Sequence, residues 1–103
     1  MEKIEKLKSF LAGSPDDSFL KHALGLEYVK IGQDILARDL FVDILTRDPA
    51  YIGTYYHLGR LLERMGEPET ARIWLEKGLD ASKKAGDLHT YQELQSAYED
   101  LID

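Results

Sequence analysis

Residues Tyr55–Leu75 read YYHLGRLLERMGEPETARIWL, and residues Lys21–Phe41, which lie 34 positions earlier, read KHALGLEYVKIGQDILARDLF. At this offset, six of the 22 positions from residue 24 to residue 45 are identical to their counterparts. Ordinary residue usage gives roughly one or two such matches by chance. The chain therefore contains an internal repeat, which predicts a stacked repeat architecture. The identical pairs are Leu24 and Leu58, Gly25 and Gly59, Gly32 and Gly66, Ala37 and Ala71, Arg38 and Arg72, and Leu45 and Leu79.

The apolar residues of both copies follow the spacing of amphipathic helices. Each copy contains two such stripes, and the first stripe ends in Gly32 or Gly66, where a glycine permits a left-handed helix cap. Because about three residues separate the two stripes, each copy is predicted to form an antiparallel helical hairpin. The second stripe of the first copy consists of Ala37, Leu40, Phe41, Ile44 and Leu45, and that of the second copy of Ala71, Trp74, Leu75, Gly78 and Leu79.

Proline marks the boundaries between the hairpins, since Pro15 and Pro49 stand where a helix cannot continue. We expect one all-helical domain over residues 1–103. Residues 1–14 are predicted to form a helix equivalent to the second helix of a hairpin, residues 18–51 a first repeat, 52–87 a second repeat and 88–103 a capping helix. The stripe in the last segment matches the second copy at an offset of 36, which predicts a two-residue extension near 82–86.

The spacing of aromatic and small residues resembles the tetratricopeptide repeat (TPR) family, and small bacterial members in particular. The second copy departs from the family pattern at Leu62, Leu75 and Lys83, and the first at Lys21, where an aromatic is usual. The resemblance implies a right-handed superhelix of about six helices: a half repeat, two repeats and a cap. The first copy matches through Leu24-Gly25, Tyr28, Ala37, Phe41 and Pro49, and the second through Tyr55, Leu58-Gly59 and Ala71.

Composition excludes several classes of function. The chain carries 13 Lys and Arg against 19 Asp and Glu, a net charge of -6 that does not attract nucleic acid or an anionic membrane. It has no cysteine, so it forms no disulfide or thiolate metal site, as is common in a reducing compartment. We find no apolar stretch long enough for a signal peptide or membrane span, and we expect a cytoplasmic protein.

The resemblance implies that a peptide or protein partner binds in a concave groove lined by the first helix of each hairpin and by the capping helix. The predicted groove runs from an apolar patch through a basic, aromatic centre to an acidic end, and Tyr and Arg commonly anchor interfaces. The alternative is that these are ordinary solvated helix faces with local charge pairs. The groove candidates are His22, Leu26, Val29, Lys30, Tyr56, His57, Arg60, Glu63, Arg64, Gln92, Glu93, Ser96 and Glu99.

Two expectations concern individual groove residues. Tyr56 and Arg60 are predicted to be central to the groove and to have no role in folding. Family members that grip the carboxylates of chaperone tails use lysines and asparagines on these faces. Here Leu26, Arg60 and Ser96 occupy successive equivalent sites. We therefore expect that the chain is not a chaperone-tail receptor.

The sequence offers no recognisable set of catalytic residues, no phosphate-binding loop and no metal-ligand spacing. His22, His57 and His89 lie on three different predicted helices and are interpreted as surface histidines. We therefore expect no enzyme activity, no metal and no cofactor. Three functions remain open: a module that binds a protein or peptide partner, a scaffold subunit that self-associates through exposed terminal helices, and a chaperone-like assembly factor.

Overall fold

The computed structural model describes residues 2–103, which form six α-helices and no β-strand. The all-helical hairpin fold predicted from the repeat is confirmed, and residue 1 of the predicted first segment lies outside the described residues. Helices α2 and α3 form one hairpin and α4 and α5 a second, while α1 packs on α2, α3 on α4, and α6 on both α5 and α4. The helices are α1 Glu2–Gly13, α2 Ser18–Lys30, α3 Asp34–Arg47, α4 Gly53–Arg64, α5 Pro68–Ala85 and α6 Leu88–Ile102.

Glycine and proline define the helix ends inside each hairpin. Gly32 and Gly66 have φ of 77° and 78°, a left-handed conformation that a side chain would disfavour, and they follow the ends of α2 and α4. Pro68 is the first residue of α5, where its missing N–H costs nothing. Helix α3 ends at Arg47, because Asp48 precedes a proline and takes an extended φ of -139°.

Helix α5 is longer than its counterpart, with 18 residues against 14 in α3. Lys83 stands where the first repeat has Pro49, so nothing stops the helix there. It continues to Ala85 and ends at Gly86, whose φ is 70°. This additional turn accounts for the change of offset from 34 to 36 between the repeats and α6.

The two helices of each hairpin approach closely at a glycine on the first helix. A methyl group on Gly25 would overlap the ring of Phe41, and one on Gly59 would overlap the side chain of Leu75. Both Phe41 and Leu75 are almost fully buried. The Leu-Gly pair that recurs in the two copies therefore provides a slot for a large side chain from the second helix.

The two hairpins differ in a second contact between their helices, at Lys21 on α2 and at its counterpart Tyr55 on α4. In the first hairpin the buried stem of Lys21 carries an ammonium group 2.6 Å from Asp43 Oδ2. In the second, Tyr55 takes the place of the lysine, and a methyl group on Gly78 would lie 2.6 Å from the Tyr55 Cβ. The counterpart of Gly78 in the first hairpin is Ile44. The first hairpin thus combines the narrow stem of Lys21 with the larger Ile44. The second combines the wide ring of Tyr55 with Gly78, which has no side chain.

Replacing Gly59 with alanine tests this packing. We expect Gly59→Ala to lower the free energy of unfolding by about 1–3 kcal/mol, because the added methyl group requires Leu75 to move within a filled core. Urea unfolding measured by circular dichroism gives the difference. Gly53→Ala is the matched control, since it adds the same methyl group to α4 where nothing lies within 4 Å. Equal stability of the two variants would contradict the close-packing assignment.

Candidate functional site

The predicted groove residues lie on α2, α4 and α6, and we call the surface that they are predicted to form the first-helix face. Those that are half-buried lie on α2 and α4, while the candidates on α6 are all exposed. The half-buried residues are His22, Leu26, Val29, Tyr56, His57 and Arg60, and the exposed ones are Lys30, Glu63, Arg64, Gln92, Glu93, Ser96 and Glu99.

Two histidines join α2 to α4 on this face. The rings of His22 and His57 meet edge to face with centroids 5.3 Å apart. His22 Nδ1 shares a hydrogen bond with the hydroxyl group of Thr54, at 2.8 Å. The rings of Phe41 and Tyr51 lie 5.7 and 6.0 Å from the same imidazole. The interpretation of His22 and His57 as surface histidines is therefore wrong, because stacking of the repeats brings residues 35 positions apart into contact.

This environment disfavours the charged form of both imidazoles. Burial, with a smaller contribution from His57, lowers the pKa of His22 from 6.5 to about 4. Burial also lowers the pKa of His57, and the nearby carboxylate of Glu93 partly offsets that effect. Both rings are therefore neutral at pH 7, and they present aromatic and not cationic surface.

Arg60 joins α4 to α6. Its guanidinium group donates to Asp100 Oδ2 at 3.0 Å and to Glu63 Oε1 at 3.4 Å. It also donates to the Tyr56 hydroxyl group at 3.4 Å, and the Tyr56 ring centroid lies 5.4 Å from the Arg60 Cζ. The hydrogen bond to Tyr56 and those to the carboxylates raise the pKa of Arg60, so the group stays charged.

These contacts bear on two expectations. Arg60 links two helices and Tyr56 is bonded to it, and the expectation that neither matters for folding stays a prediction. The predicted basic centre is wrong, because the positive charge of Arg60 is shared by two carboxylates of the same chain. Asp100, which provides the interhelical contact, was not predicted as a site residue. Its partner lies 40 positions away, beyond the reach of helical spacing rules.

Two clefts lie outside the first-helix face. One of about 520 Å³ separates Pro49 and Ala50 from the last turns of α5, and one of about 410 Å³ lies beside Leu88 and Tyr91 at the α5–α6 turn. Neither is lined by a predicted groove residue. The first depends on the additional turn of α5, which extends the helix past the level at which α3 ends.

Metal-ligating clusters and membrane-spanning helices are both absent from residues 2–103. No group of three or more His, Cys, Asp or Glu side chains in this range could hold a metal ion. None of the six helices is long and apolar enough to cross a membrane.

The structure of a tetratricopeptide repeat domain protein from Salinibacter ruber superposes on this chain with a TM-score of 0.80. The two sequences are 34% identical, and the match covers 84% of this chain and 97% of that protein. The chain belongs to the tetratricopeptide repeat family. No family model matches the sequence. The TPR assignment therefore depends on the likeness to this relative and on the observed hairpins.

Two further proteins are similar to the chain, one in sequence and one in structure. A TPR repeat-containing protein of Pseudomonas aeruginosa is 29% identical over 91 residues, which cover 88% of this chain and 87% of that protein. The TPR2B domain of yeast Sti1, solved as a complex with pHsp70, superposes with a TM-score of 0.89 at 12% identity, over 96% of this chain and 79% of that one. At so low an identity the second likeness shows the fold alone.

The histidine pair predicts an acid-sensitive TPR stack. His22 takes up a proton more readily in the unfolded chain, at pH near 6.5, than in the folded chain, where its pKa is about 4. The free energy of unfolding therefore decreases as the pH falls from 6.5 towards 4. Between pH 7 and pH 5 we expect a decrease of about 1 kcal/mol, after allowance for solvent screening. Urea unfolding of wild type and His22→Asn at pH 7, 6 and 5 measures how steeply the free energy of unfolding changes with pH. We expect a shallower slope for the variant, and identical slopes would contradict this role for His22.

The contact between Arg60 and Asp100 predicts that the stability of the fold depends on this ion pair between α4 and α6. Arg60→Glu places a third carboxylate beside Glu63 and Asp100, and we expect it to lower the free energy of unfolding by about 1–2 kcal/mol. The charge-swapped double variant Arg60→Glu/Asp100→Arg should recover part of the loss. A double-mutant cycle in urea gives the coupling energy. A coupling energy of zero would mean that α4 and α6 do not depend on this pair.

Proposed function

We propose that the chain is a protein-interaction module that binds a partner peptide or protein segment along the first-helix face. The observation that supports this most is the continuity of the face across three helices. His22 and His57 join α2 to α4, and Arg60 and Asp100 join α4 to α6. A segment that lies along this face could contact half-buried aromatic groups and an exposed polar rim on α6. Anchors of this type carry most of the energy in protein interfaces.

The TPR2B domain of yeast Sti1 supports the proposal by analogy of fold, since it forms a complex with pHsp70. The proposal gives the chain no catalytic step and no cofactor. The cytoplasmic location and the chaperone-like alternative stay predictions, because the same face would serve a chaperone-like assembly factor equally well.

Self-association is a second candidate, favoured by exposed apolar side chains on the first and last helices. Phe10 on α1 is 60% exposed, and Leu88 and Ile102 on α6 are 66% and 56% exposed. Against it, Gln95 occupies on α6 the position that Gly25 holds on α2. A helix from a second copy could not approach α6 as closely as helices approach within the hairpins. Light scattering over a range of concentrations would detect the association.

The variant Ser96→Trp tests partner binding without removing a core contact. Ser96 is exposed on α6, so the indole adds bulk to the first-helix face. Ser9→Trp adds the same group to an exposed position of α1 and serves as the control. The assay is affinity capture from source-cell lysate with quantitative mass spectrometry. We expect wild type and Ser9→Trp to retain the same protein. Ser96→Trp should retain roughly tenfold less of it, or lower still, because its interface is blocked. Equal retention by all three would place the binding surface elsewhere.

A further inference from the structure

The positively charged side chains of the first-helix face are already paired within the chain. Arg60 contacts two carboxylates, as described above. Arg64 is bonded to Asp34 at the start of α3, and Lys30 lies 3.0 Å from Glu27 on its own helix. An acidic partner would have to compete with these carboxylates for each cation. The face therefore offers no ready site for an anionic group.

Two carboxylates of α6 differ from these paired groups. Glu93 and Glu99 are exposed, and within residues 2–103 neither has a cationic group within 4.0 Å. Glu63 and Asp100 contact the guanidinium group of Arg60, and together with Glu93 and Glu99 they give α4 and α6 four carboxylates on this face. The neighbouring His57 adds no positive charge at pH 7, because burial lowers its pKa. This part of the face therefore has a negative potential.

Apolar and aromatic surface lies beside these carboxylates. Tyr56 and His57 pack edge to face with ring centroids 5.6 Å apart, and both remain half-buried. Leu26 and Val29 on α2 are also half-buried and pack against the core. A partner that combines an apolar side chain with a cationic one would match both the apolar α2–α4 side and the acidic α6 side.

Resting on the proposed function, we infer that the partner segment is basic and carries Lys or Arg beside an apolar or aromatic side chain. The apolar side chain lies against the surface formed by α2 and α4, and the cation lies beside Glu93 and Glu99. Complementary charge accelerates association and disfavours acidic competitors. The net charge of -6 of the whole chain acts in the same direction at longer range.

Selection from random dodecapeptides displayed on phage tests the inference, because it does not require the partner to be identified first. We expect the enriched peptides to carry net positive charge and at least one large apolar residue. Synthetic copies of these peptides should bind Glu93→Gln/Glu99→Gln on the order of tenfold more weakly than wild type, which corresponds to two exposed ion pairs. The control is Glu2→Gln/Glu5→Gln, which makes the same change of net charge at exposed positions of α1 and should bind like wild type.

The outcomes separate this inference from the proposed function. Enriched peptides that are acidic or uncharged, and that Ser96→Trp fails to bind, would overturn the charge inference and leave the proposed function intact. Equal weakening by the two double variants would show attraction to total charge alone and would also overturn it. If no peptide is enriched, or if Ser96→Trp binds the enriched peptides as wild type does, the proposed function fails and the inference fails with it.

Discussion

The contacts of Phe41 with Gly25 and of Leu75 with Gly59 set the distance between the two helices of each hairpin. A larger residue at either glycine would separate the helices and change the thickness of the repeat. The position of Phe41 also bears on the neighbouring repeat, since its ring lies 5.7 Å from His22 on α2 and 6.4 Å from His57 on α4. The contact between His22 and His57 therefore depends on packing at residues that do not line the face themselves.

The electrostatics of the first-helix face follow from that geometry. Arg60 lies close enough to α6 to bond Asp100, and this contact converts a group that could have recognised a partner into one that holds two helices together. Exposed ion pairs contribute little stability one at a time. In the binding mode proposed above, their larger effect is on recognition, because Glu93 and Glu99 are then the groove carboxylates of α6 that Arg60 does not contact. The same face is aromatic near α2, where two neutral imidazoles lie against Phe41.

Local sequence signals were sufficient for the fold and insufficient for the site. The period of 34 and the apolar stripes predicted the hairpins. Gly32 and Pro49 predicted helix ends, because each acts within a few residues of the end that it determines. The identities of exposed residues on each helix could also be predicted. The groove assignment itself stays a prediction.

Contacts between repeats could not be obtained from these signals. His22 meets His57 and Arg60 meets Asp100 only after the hairpins stack, and the stacking angle depends on core packing throughout the chain. These contacts were therefore not predicted, although the helices that carry the side chains were. The close approach of Tyr55 to Gly78 was missed for the same reason. A glycine within an apolar stripe does not indicate which side chain packs against it.

The different pairs inside the two hairpins determine which segments of the chain are interchangeable. Combining α2 with α5 would set Lys21 opposite Lys77 and Gly78, which stand where α3 has Asp43 and Ile44. This pairing would leave a gap and remove the carboxylate that binds the ammonium group. Combining α4 with α3 would press Tyr55 against Ile44. Both mismatched pairings are unfavourable, although the two repeats share their main sequence signature. The unit that can be duplicated or recombined is thus the whole hairpin, and the same mismatch opposes helix exchange between neighbouring molecules during folding.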